Sequence, residues 1–379
     1  MMNVLWTTLR PRVTSSVRSF STAVRYSVHG QAKDVYKLET VDGMGKLSAS
    51  EVGLHFLAAP INPSDLNLAE GVYGVKPSLP AVGGNEGVAL VKEVGSAVKS
   101  LQVGDWVHPK CLLCMTGTWR QQGKADEKAL VKVPNDIPAP YAATLTINPA
   151  TAYCLLREFE NLKPGDVIIQ NGANSMVGQA VVQMARDMGV KTINVVRQHR
   201  PEAERSLRLL TNLGGDINVF DTYLNSANFN DIIKELPPIK LALNCVGGEV
   251  ATDLARVLAP GGTMVTYGGM SKEPLAIPYE LLAYKQLKLR GFWIANWYET
   301  HSQEQASVML NDIAAQVREK RLNFMFRLHD LDDFDYALVK ATEPFHERKV
   351  VLNLNYPDRM KEHDARNPSD YDVFDGPVV

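Results

Sequence analysis

The chain has 379 residues, with 40 basic and 42 acidic side chains. Its length exceeds what one hydrophobic core usually supports, so we expect two folded domains. The balanced charge offers no basic excess for nucleic acid and no apolar run is long enough to span a membrane, so the composition is typical of a globular enzyme.

Residues 1–25 differ from the rest of the chain. They contain four arginines and many Ser and Thr, and the first acidic residue of the chain is Asp34. An Arg-rich, Ser-rich and acid-free segment is typical of a mitochondrial transit peptide, with a disordered basic tail as the alternative. We therefore predict a leader over 1–25, a folded chain from residue 26, and a location in the mitochondrial matrix.

Residues 26–150 show the pattern of short strands and turns. Apolar runs predict strands of a small β-barrel at 52–59, 88–91 and 104–107. Cys111 and Cys114 form a lone C-x-x-C pair, and no second pair completes a four-thiolate zinc site. We expect no bound metal.

From residue 151 to 294, strands alternate with helices. The strands are predicted from 167 and at 191–196, 217–220, 241–246 and 263–267, and the later helices at 201–213, 231–236 and 249–258. This alternation predicts a doubly wound parallel sheet with helices on both faces. Ligands of such sheets bind at the carboxyl ends of the strands.

The first of these strands leads through a tight turn into an apolar helix. Unpaired N–H groups and a partial positive charge at a helix N-terminus suit a pyrophosphate. Ala173 and Ser175 replace the first two glycines of the dinucleotide fingerprint, and only Gly178 remains. The turn alone does not distinguish a dinucleotide-binding site from a plain strand–helix connection.

The second strand ends at Arg197-Gln198-His199-Arg200. It lacks the acidic residue that binds the ribose 2′-hydroxyl of NAD. A cationic fork suits a 2′-phosphate, so the segment predicts NADP(H). The alternative is that Arg197 and Arg200 are solvated residues before the next helix.

After residue 294 the sequence predicts helices at 303–321 and 334–341 and a strand at 349–354. We expect 295–356 to return to the first domain. Residues 357–379 are acidic and poor in apolar side chains, which indicates a flexible tail.

This order of segments resembles the medium-chain dehydrogenase/reductase superfamily. A set of motifs across 26–354 is more specific and is similar to the mitochondrial trans-2-enoyl-thioester reductases, in the zinc-free, quinone-oxidoreductase-like branch. The motifs lie at 62–65, 73–74, 82–87, 117–119, 142–144, 148–153, 170–171, 194–197, 243–248, 262–270 and 289–293. The resemblance implies a GroES-like β-barrel catalytic domain followed by a Rossmann nucleotide domain. Asn85 stands where zinc-dependent relatives have a histidine, which implies a zinc-free reductase.

The resemblance also implies a function. It is the NADPH-dependent reduction of enoyl thioesters of CoA or acyl carrier protein, the last step of the mitochondrial fatty-acid synthesis cycle, by a homodimer. Tyr73 is similar to the family's catalytic tyrosine. The residues that match cofactor- and acyl-side segments are Asn148, Asn174, Ser175, Met176, Val177, Arg197, Gln198, His199, Tyr267, Gly268, Gly269, Met270, Phe292, Trp293, Ile294 and Lys349. The chain departs from the family at Met176, where a small residue is usual, and at His199, where an arginine is.

The chemistry of the reaction agrees with these assignments. Hydride addition to the β-carbon places negative charge on the thioester oxygen, and a tyrosine hydroxyl can donate to that oxygen. Four aromatic residues are candidates for an acyl pocket or for core: Trp119, Phe292, Trp293 and Trp297. Two other functions stay open, a quinone or enone reductase and a catalytically silent nucleotide-binding scaffold or RNA binder. The lack of a basic stripe argues against RNA.

Overall fold

The computed structural model describes residues 20–110, 117–199, 203–343 and 348–354. Its strands are β1 (Phe20–Tyr26), β2 (Lys37–Asp42), β3 (Glu51–Pro60), β4 (Ala81–Val82), β5 (Val88–Val94), β6 (Trp106–Pro109), β7 (Gln122–Asp126), β8 (Leu130–Val133), β9 (Val167–Asn171), β10 (Lys191–Val196), β11 (Ile217–Phe220), β12 (Ile239–Asn244), β13 (Thr263–Thr266), β14 (Lys288–Gly291), β15 (Phe326–Asp330) and β16 (Lys349–Asn353). Its α-helices are α1 (Ala32–Val35), α2 (Pro63–Glu70), α3 (Ala139–Thr144), α4 (Asn148–Leu155), α5 (Met176–Asp187), α6 (Ala203–Asn212), α7 (Ala227–Lys234), α8 (Gly248–Val257), α9 (Tyr279–Ala283), α10 (Ile294–Thr300), α11 (Gln303–Arg318) and α12 (Phe334–Thr342).

Strand β1 begins six residues before the predicted start of the folded chain. It pairs antiparallel with β2 and with β4, and Ala23 and Val24 are fully buried. The expected start at residue 26 was therefore too late. The error arose because 20–25 also lacks acidic residues and so continues the composition of the leader.

The resemblance predicts that the chain on either side of residues 151–294 is the catalytic domain; this part is called the catalytic half, and 151–294 the nucleotide half. The catalytic half is built around the ten-residue strand β3. Within the described residues, its main sheet has the order β15-β16-β3-β5-β6-β8, with β7 also paired to β3. Nearly every side chain of β3 is buried, because the strand is covered on both faces. The late strand β16 runs antiparallel to β3, with Val351 opposite Pro60, and this pairing brings Lys349 beside the end of β3.

The nucleotide half contains a parallel sheet in the described part of the chain. Its order is β11-β10-β9-β12-β13-β14, with every pair parallel. Counted within this half, the order is 3-2-1-4-5-6, the doubly wound arrangement, with its switch point between β9 and β12. The predicted parallel sheet is confirmed.

Several elements of this half differ from the predictions: β12 begins two residues earlier and ends two residues earlier than expected, and α9 was not predicted. Strand β14 was missed because its four residues are all exposed and form no apolar run. Helix α7 begins at Ala227 and not at residue 231, because the Ser226 Oγ accepts a hydrogen bond from the Phe229 N–H (3.1 Å) and caps the helix. No helix among the described residues is long and apolar enough to cross a bilayer.

Candidate active site

The turn after β9 places the N-terminus of a twelve-residue helix at the carboxyl edge of the sheet. Gly172 has a φ of 59°, and the exposed Ser175 caps α5 by accepting from the Gly178 N–H (3.2 Å). A Cβ on Gly178 would lie 2.4 Å from the Ala173 carbonyl oxygen, so only glycine fits there. The turn therefore presents free helix N–H groups to solvent, as a pyrophosphate requires.

The predicted residues Asn174, Met176 and Val177 all belong to this turn or to the first turn of α5. Asn174 is buried, and its carbonyl oxygen accepts from the Gln179 side-chain amide (2.8 Å). Met176 is half-buried and packs against the adjoining core, so the larger side chain at this position is accommodated.

A pair of asparagines fixes the switch point, and the sequence analysis missed it. Asn171 Nδ2 donates to Asn244 Oδ1 (2.7 Å), while Asn171 Oδ1 accepts from the Cys245 backbone N–H (2.8 Å). The same Asn244 oxygen accepts from the Gly247 N–H (3.1 Å). These bonds join the carboxyl ends of β9 and β12, where such sheets bind their ligand.

The segment after β10 is exposed at all three predicted residues, Arg197, Gln198 and His199. Arg197 forms no ion pair with any other described residue, and Arg200 lies outside the described residues. Asp221, at the end of β11, accepts from the backbone N–H of Gln198 at 3.0 Å. The Asp221 carboxylate accepts hydrogen bonds from backbone N–H groups and so holds the shape of this turn. The exposed Arg197 gives the segment a cation that fits a 2′-phosphate.

The loop after β13 holds the predicted residues Tyr267 to Met270. Their backbone follows the end of β12, because Tyr267 N donates to the Asn244 carbonyl and Met270 N to the Cys245 carbonyl, both at 2.9 Å. A Cβ on Gly269 would meet no atom within 4 Å. This loop therefore faces open space beside the switch point.

Tyr73 and Trp293 come together from the two halves of the chain. Tyr73 follows α2, where its N–H donates to the Asn67 carbonyl (3.2 Å). Trp293 Nε1–H donates to the Tyr73 hydroxyl oxygen at 2.9 Å, with ring centroids 6.1 Å apart. Burial raises the pKa of Tyr73, so its hydroxyl stays protonated at neutral pH and its own proton can be donated to a substrate oxygen.

Asn148 and Lys349 also meet, although 200 residues separate them. Both donate to the side-chain oxygen of Asn62, Lys349 Nζ at 2.5 Å and Asn148 Nδ2 at 3.1 Å. Asn62 Nδ2 donates in turn to Glu86 Oε2 at 2.9 Å. Burial raises the pKa of Glu86 and lowers the pKa of Lys349 to about 8.

The four candidate acyl-pocket aromatics divide into two groups. Trp119 is fully buried, with its Nε1–H on the Pro60 carbonyl (3.1 Å), and Trp297 is buried and stacked on His301. These two tryptophans belong to the core, which was the second of the two alternatives for them. Phe292 is half-buried and follows β14 at the carboxyl edge of the sheet. Trp293 is 41% exposed and lies beside Tyr73.

The metal prediction stays a prediction. The C-x-x-C pair, Cys111 and Cys114, lies outside the described residues. In the part of the chain that the structure describes, no three His, Cys, Asp or Glu side chains cluster closely enough to hold a metal ion.

Two family models and several known proteins match this chain. Residues 48–135 match the family model of the alcohol dehydrogenase GroES-like domain, and residues 177–311 match that of the zinc-binding dehydrogenase. The chain is 44% identical over 344 residues to the mitochondrial enoyl-acyl-carrier-protein reductase of Dictyostelium discoideum, which covers 90% of this chain and 98% of that relative.

Solved structures of enoyl thioester reductases also resemble this chain. The complex of Etr1p with NADP and crotonyl-CoA superposes with a TM-score of 0.80 at 33% identity, and covers 88% of this chain and 100% of that one. The mitochondrial 2-enoyl thioester reductase Etr1p/Etr2p heterodimer from Candida tropicalis gives the same values. The predicted fold class, a GroES-like domain with a Rossmann domain, is confirmed. The chain belongs to the family of mitochondrial enoyl-acyl-carrier-protein reductases, within the medium-chain dehydrogenase/reductase superfamily.

Proposed function

We propose that this chain reduces trans-2-enoyl thioesters to acyl thioesters with NADPH. The observation that carries the proposal is the Tyr73–Trp293 contact, which places a protonated hydroxyl from the catalytic half beside the carboxyl edge of the nucleotide sheet. Family membership supports the substrate class, because the relatives named above are enoyl-thioester reductases, one of them bound to NADP and crotonyl-CoA.

The side chains around this edge have distinct roles in the proposal. The N-terminus of α5 holds the pyrophosphate and Arg197 the 2′-phosphate, while Asn148 and Lys349 contact the cofactor from the catalytic side. The loop from Tyr267 to Met270 and residues 292–294 line the nicotinamide and acyl side. When bound, NADPH supplies the hydride for the β-carbon.

Tyr73 acts on the acyl group in this scheme. As the β-carbon gains hydride, electrons of the C=C bond move toward the thioester oxygen, and the Tyr73 hydroxyl donates a hydrogen bond to that oxygen. Tyr73 then relays a proton from solvent to the α-carbon and the carbonyl re-forms, which leaves a saturated acyl thioester. The raised pKa of Tyr73 keeps this donor protonated throughout the neutral range.

Turnover with three acceptors tests the proposal against its alternatives. NADPH oxidation should be fast with crotonyl-CoA and slow with a quinone, and NADH should be a poor donor. Reduction of the quinone alone would assign the chain to the quinone-reductase branch. NADPH binding without turnover of either acceptor would indicate a silent nucleotide-binding protein.

We place the protein in the mitochondrial matrix and its leader upstream of Phe20. The supporting observation is that β1 begins at Phe20 and buries Ala23 and Val24, so a cut after residue 25 would remove a strand of the core. Mass spectrometry of the protein from isolated mitochondria should find an N-terminus before residue 20. A mature N-terminus beyond Val24 would contradict this placement.

The proposed homodimer uses β14, the edge strand of the nucleotide sheet. All four residues of the strand are exposed, and exposed apolar side chains lie in it or before it in sequence: Tyr279 is 67%, Tyr284 76% and Leu289 42% exposed. An open sheet edge with apolar side chains pairs readily with another copy of itself. This surface fits a second copy of the same chain.

A positive charge in place of Leu289 should break the dimer. Light scattering should give the mass of a dimer for the natural chain and of a monomer for Leu289→Arg, because the charge would be buried in the interface without a partner. The matched control, Val308→Arg, replaces another exposed residue and should remain dimeric. A Leu289→Arg protein that keeps its dimer mass would remove β14 from the interface.

A further inference from the structure

Asn62 connects the two predicted cofactor contacts of the catalytic half to a buried acid. Its side-chain oxygen accepts from Lys349 Nζ (2.5 Å) and from Asn148 Nδ2 (3.1 Å), and its Nδ2 donates to Glu86 Oε2 (2.9 Å). A carbonyl oxygen has two lone pairs, so both acceptor positions are filled. Asn62 is 2% exposed and has almost no surface left for a ligand.

The donors around Asn62 fix the orientation of its amide. Lys349 Nζ and Asn148 Nδ2 both donate to its oxygen, so a flipped amide would set an NH2 group against two donors. Glu86 is itself fixed, because its Oε1 accepts from the Ile147 N–H (2.7 Å) and from the Thr146 hydroxyl (3.0 Å). The amide is therefore a rigid link between a fixed carboxylate and two donors.

The backbone of Asn62 serves the other half of the site. Its N–H donates to Asp65 Oδ2 (2.7 Å) at the start of α2, and Asp65 Oδ1 accepts from the Asn85 N–H (2.9 Å). The same helix ends where Tyr73 N donates to the Asn67 carbonyl. One residue thus bonds both predicted cofactor contacts and immediately precedes the helix that leads to Tyr73.

We infer that Asn62 is a positioning residue that holds Lys349 and Asn148 in the orientation in which they meet NADPH. The inference rests on the proposed function, since it takes these two side chains as cofactor contacts. The inference is tested by NADPH binding in the absence of substrate. A failure of enoyl-thioester turnover, which would contradict the proposed function, is measured in a different experiment.

A thermodynamic cycle on NADPH affinity tests the link. Asn62→Ala removes the acceptor of both donors, and fluorescence titration should show the dissociation constant rising about five- to tenfold. In a Lys349→Met background, Asn62→Ala should raise the dissociation constant only about twofold, because the effects of two residues that act through one another are not additive. A full five- to tenfold loss in that background would overturn the inference.

The pH dependence of binding gives a second readout that a merely structural role would not move. NADPH affinity should fall as pH rises through the Lys349 pKa, near 8, where the ammonium that faces Glu86 and Asp65 loses its charge. Asn62→Ala removes an acceptor that favours the ammonium, so the midpoint should move to lower pH. Asn62→Asp adds a negative charge and should move it to higher pH. Midpoints that do not separate in these opposite directions would contradict the role.

A matched control separates positioning from loss of stability. Gln183 is another buried amide; it donates to the Asn323 carbonyl (2.9 Å) and accepts from the Asn323 N–H (2.8 Å). Gln183→Ala should lower the unfolding temperature about as much as Asn62→Ala does. It should leave the dissociation constant and its pH midpoint unchanged, and an equal effect of both variants on NADPH binding would show that Asn62 is only structural.

Discussion

Tyr73→Phe should lower kcat for crotonyl-CoA reduction by about 10²–10⁴-fold, the usual contribution of a proton donor. The variant keeps the aromatic ring and its edge contact with Trp293, and loses only the hydroxyl. An interaction made mainly in the transition state lowers kcat with little change in KM. Steady-state kinetics with crotonyl-CoA measures both values.

Two controls accompany this variant. The NADPH dissociation constant should hold, because Tyr73 lies in the catalytic half, away from the phosphate turn. Tyr336→Phe, at an exposed position of α12, should leave kcat unchanged. Near-normal kcat for Tyr73→Phe would make Tyr73 an ordinary loop residue, and the proton would have to come from another group.

Arg197→Ala should weaken the use of NADPH by about ten- to a hundredfold in kcat/KM. A hydrogen bond to a charged group is worth about 1.5–3 kcal/mol, and Arg197 is the exposed cation at the end of β10 with no ion-pair partner among the described residues. NADH has no 2′-phosphate, so its use should change little. The ratio of the two kcat/KM values measures the selectivity.

Arg208 offers a matched control for this loss. It is an exposed arginine on the following helix, α6, and its ion pair is with Glu204 (3.8 Å). Arg208→Ala should leave both cofactors unaffected. Equal losses of NADPH and NADH in Arg197→Ala would mean that Arg197 supports the fold and not the 2′-phosphate.

The sequence predicted the nucleotide half well because its strands are continuous apolar runs. Strand β11 has the predicted limits, and β10 does as well. The strand that escaped, β14, lies at the exposed edge, where no core-facing pattern marks it. In the catalytic half, α2 escaped because prolines and glycines suggested only turns, although Pro63 at the first turn is a favoured helix start.

The site was predictable in part. The strand, turn and helix of the predicted phosphate site and the exposed position of Arg197 follow from local sequence, since each element leaves its own signal; their roles toward the cofactor stay predictions. The polar cluster around Asn62 does not, because Glu86 and Lys349 are brought together by the pairing of β3 with both β5 and β16. Asn62, Asp65 and Glu86 were quoted as motif residues, yet their hydrogen bonds span up to 287 positions of the chain and no spacing indicates them.

The measurement that tests the account most directly is the fate of an isotopic label. With NADPH deuterated at nicotinamide C4 and crotonyl-CoA as acceptor, mass spectrometry and NMR should find one deuterium at C3 of the butyryl product. With unlabelled NADPH in D₂O, the deuterium should appear at C2. Deuterium from the cofactor at C2, or NADPH consumed with no label in the acyl chain, would contradict hydride transfer to the β-carbon of an enoyl thioester.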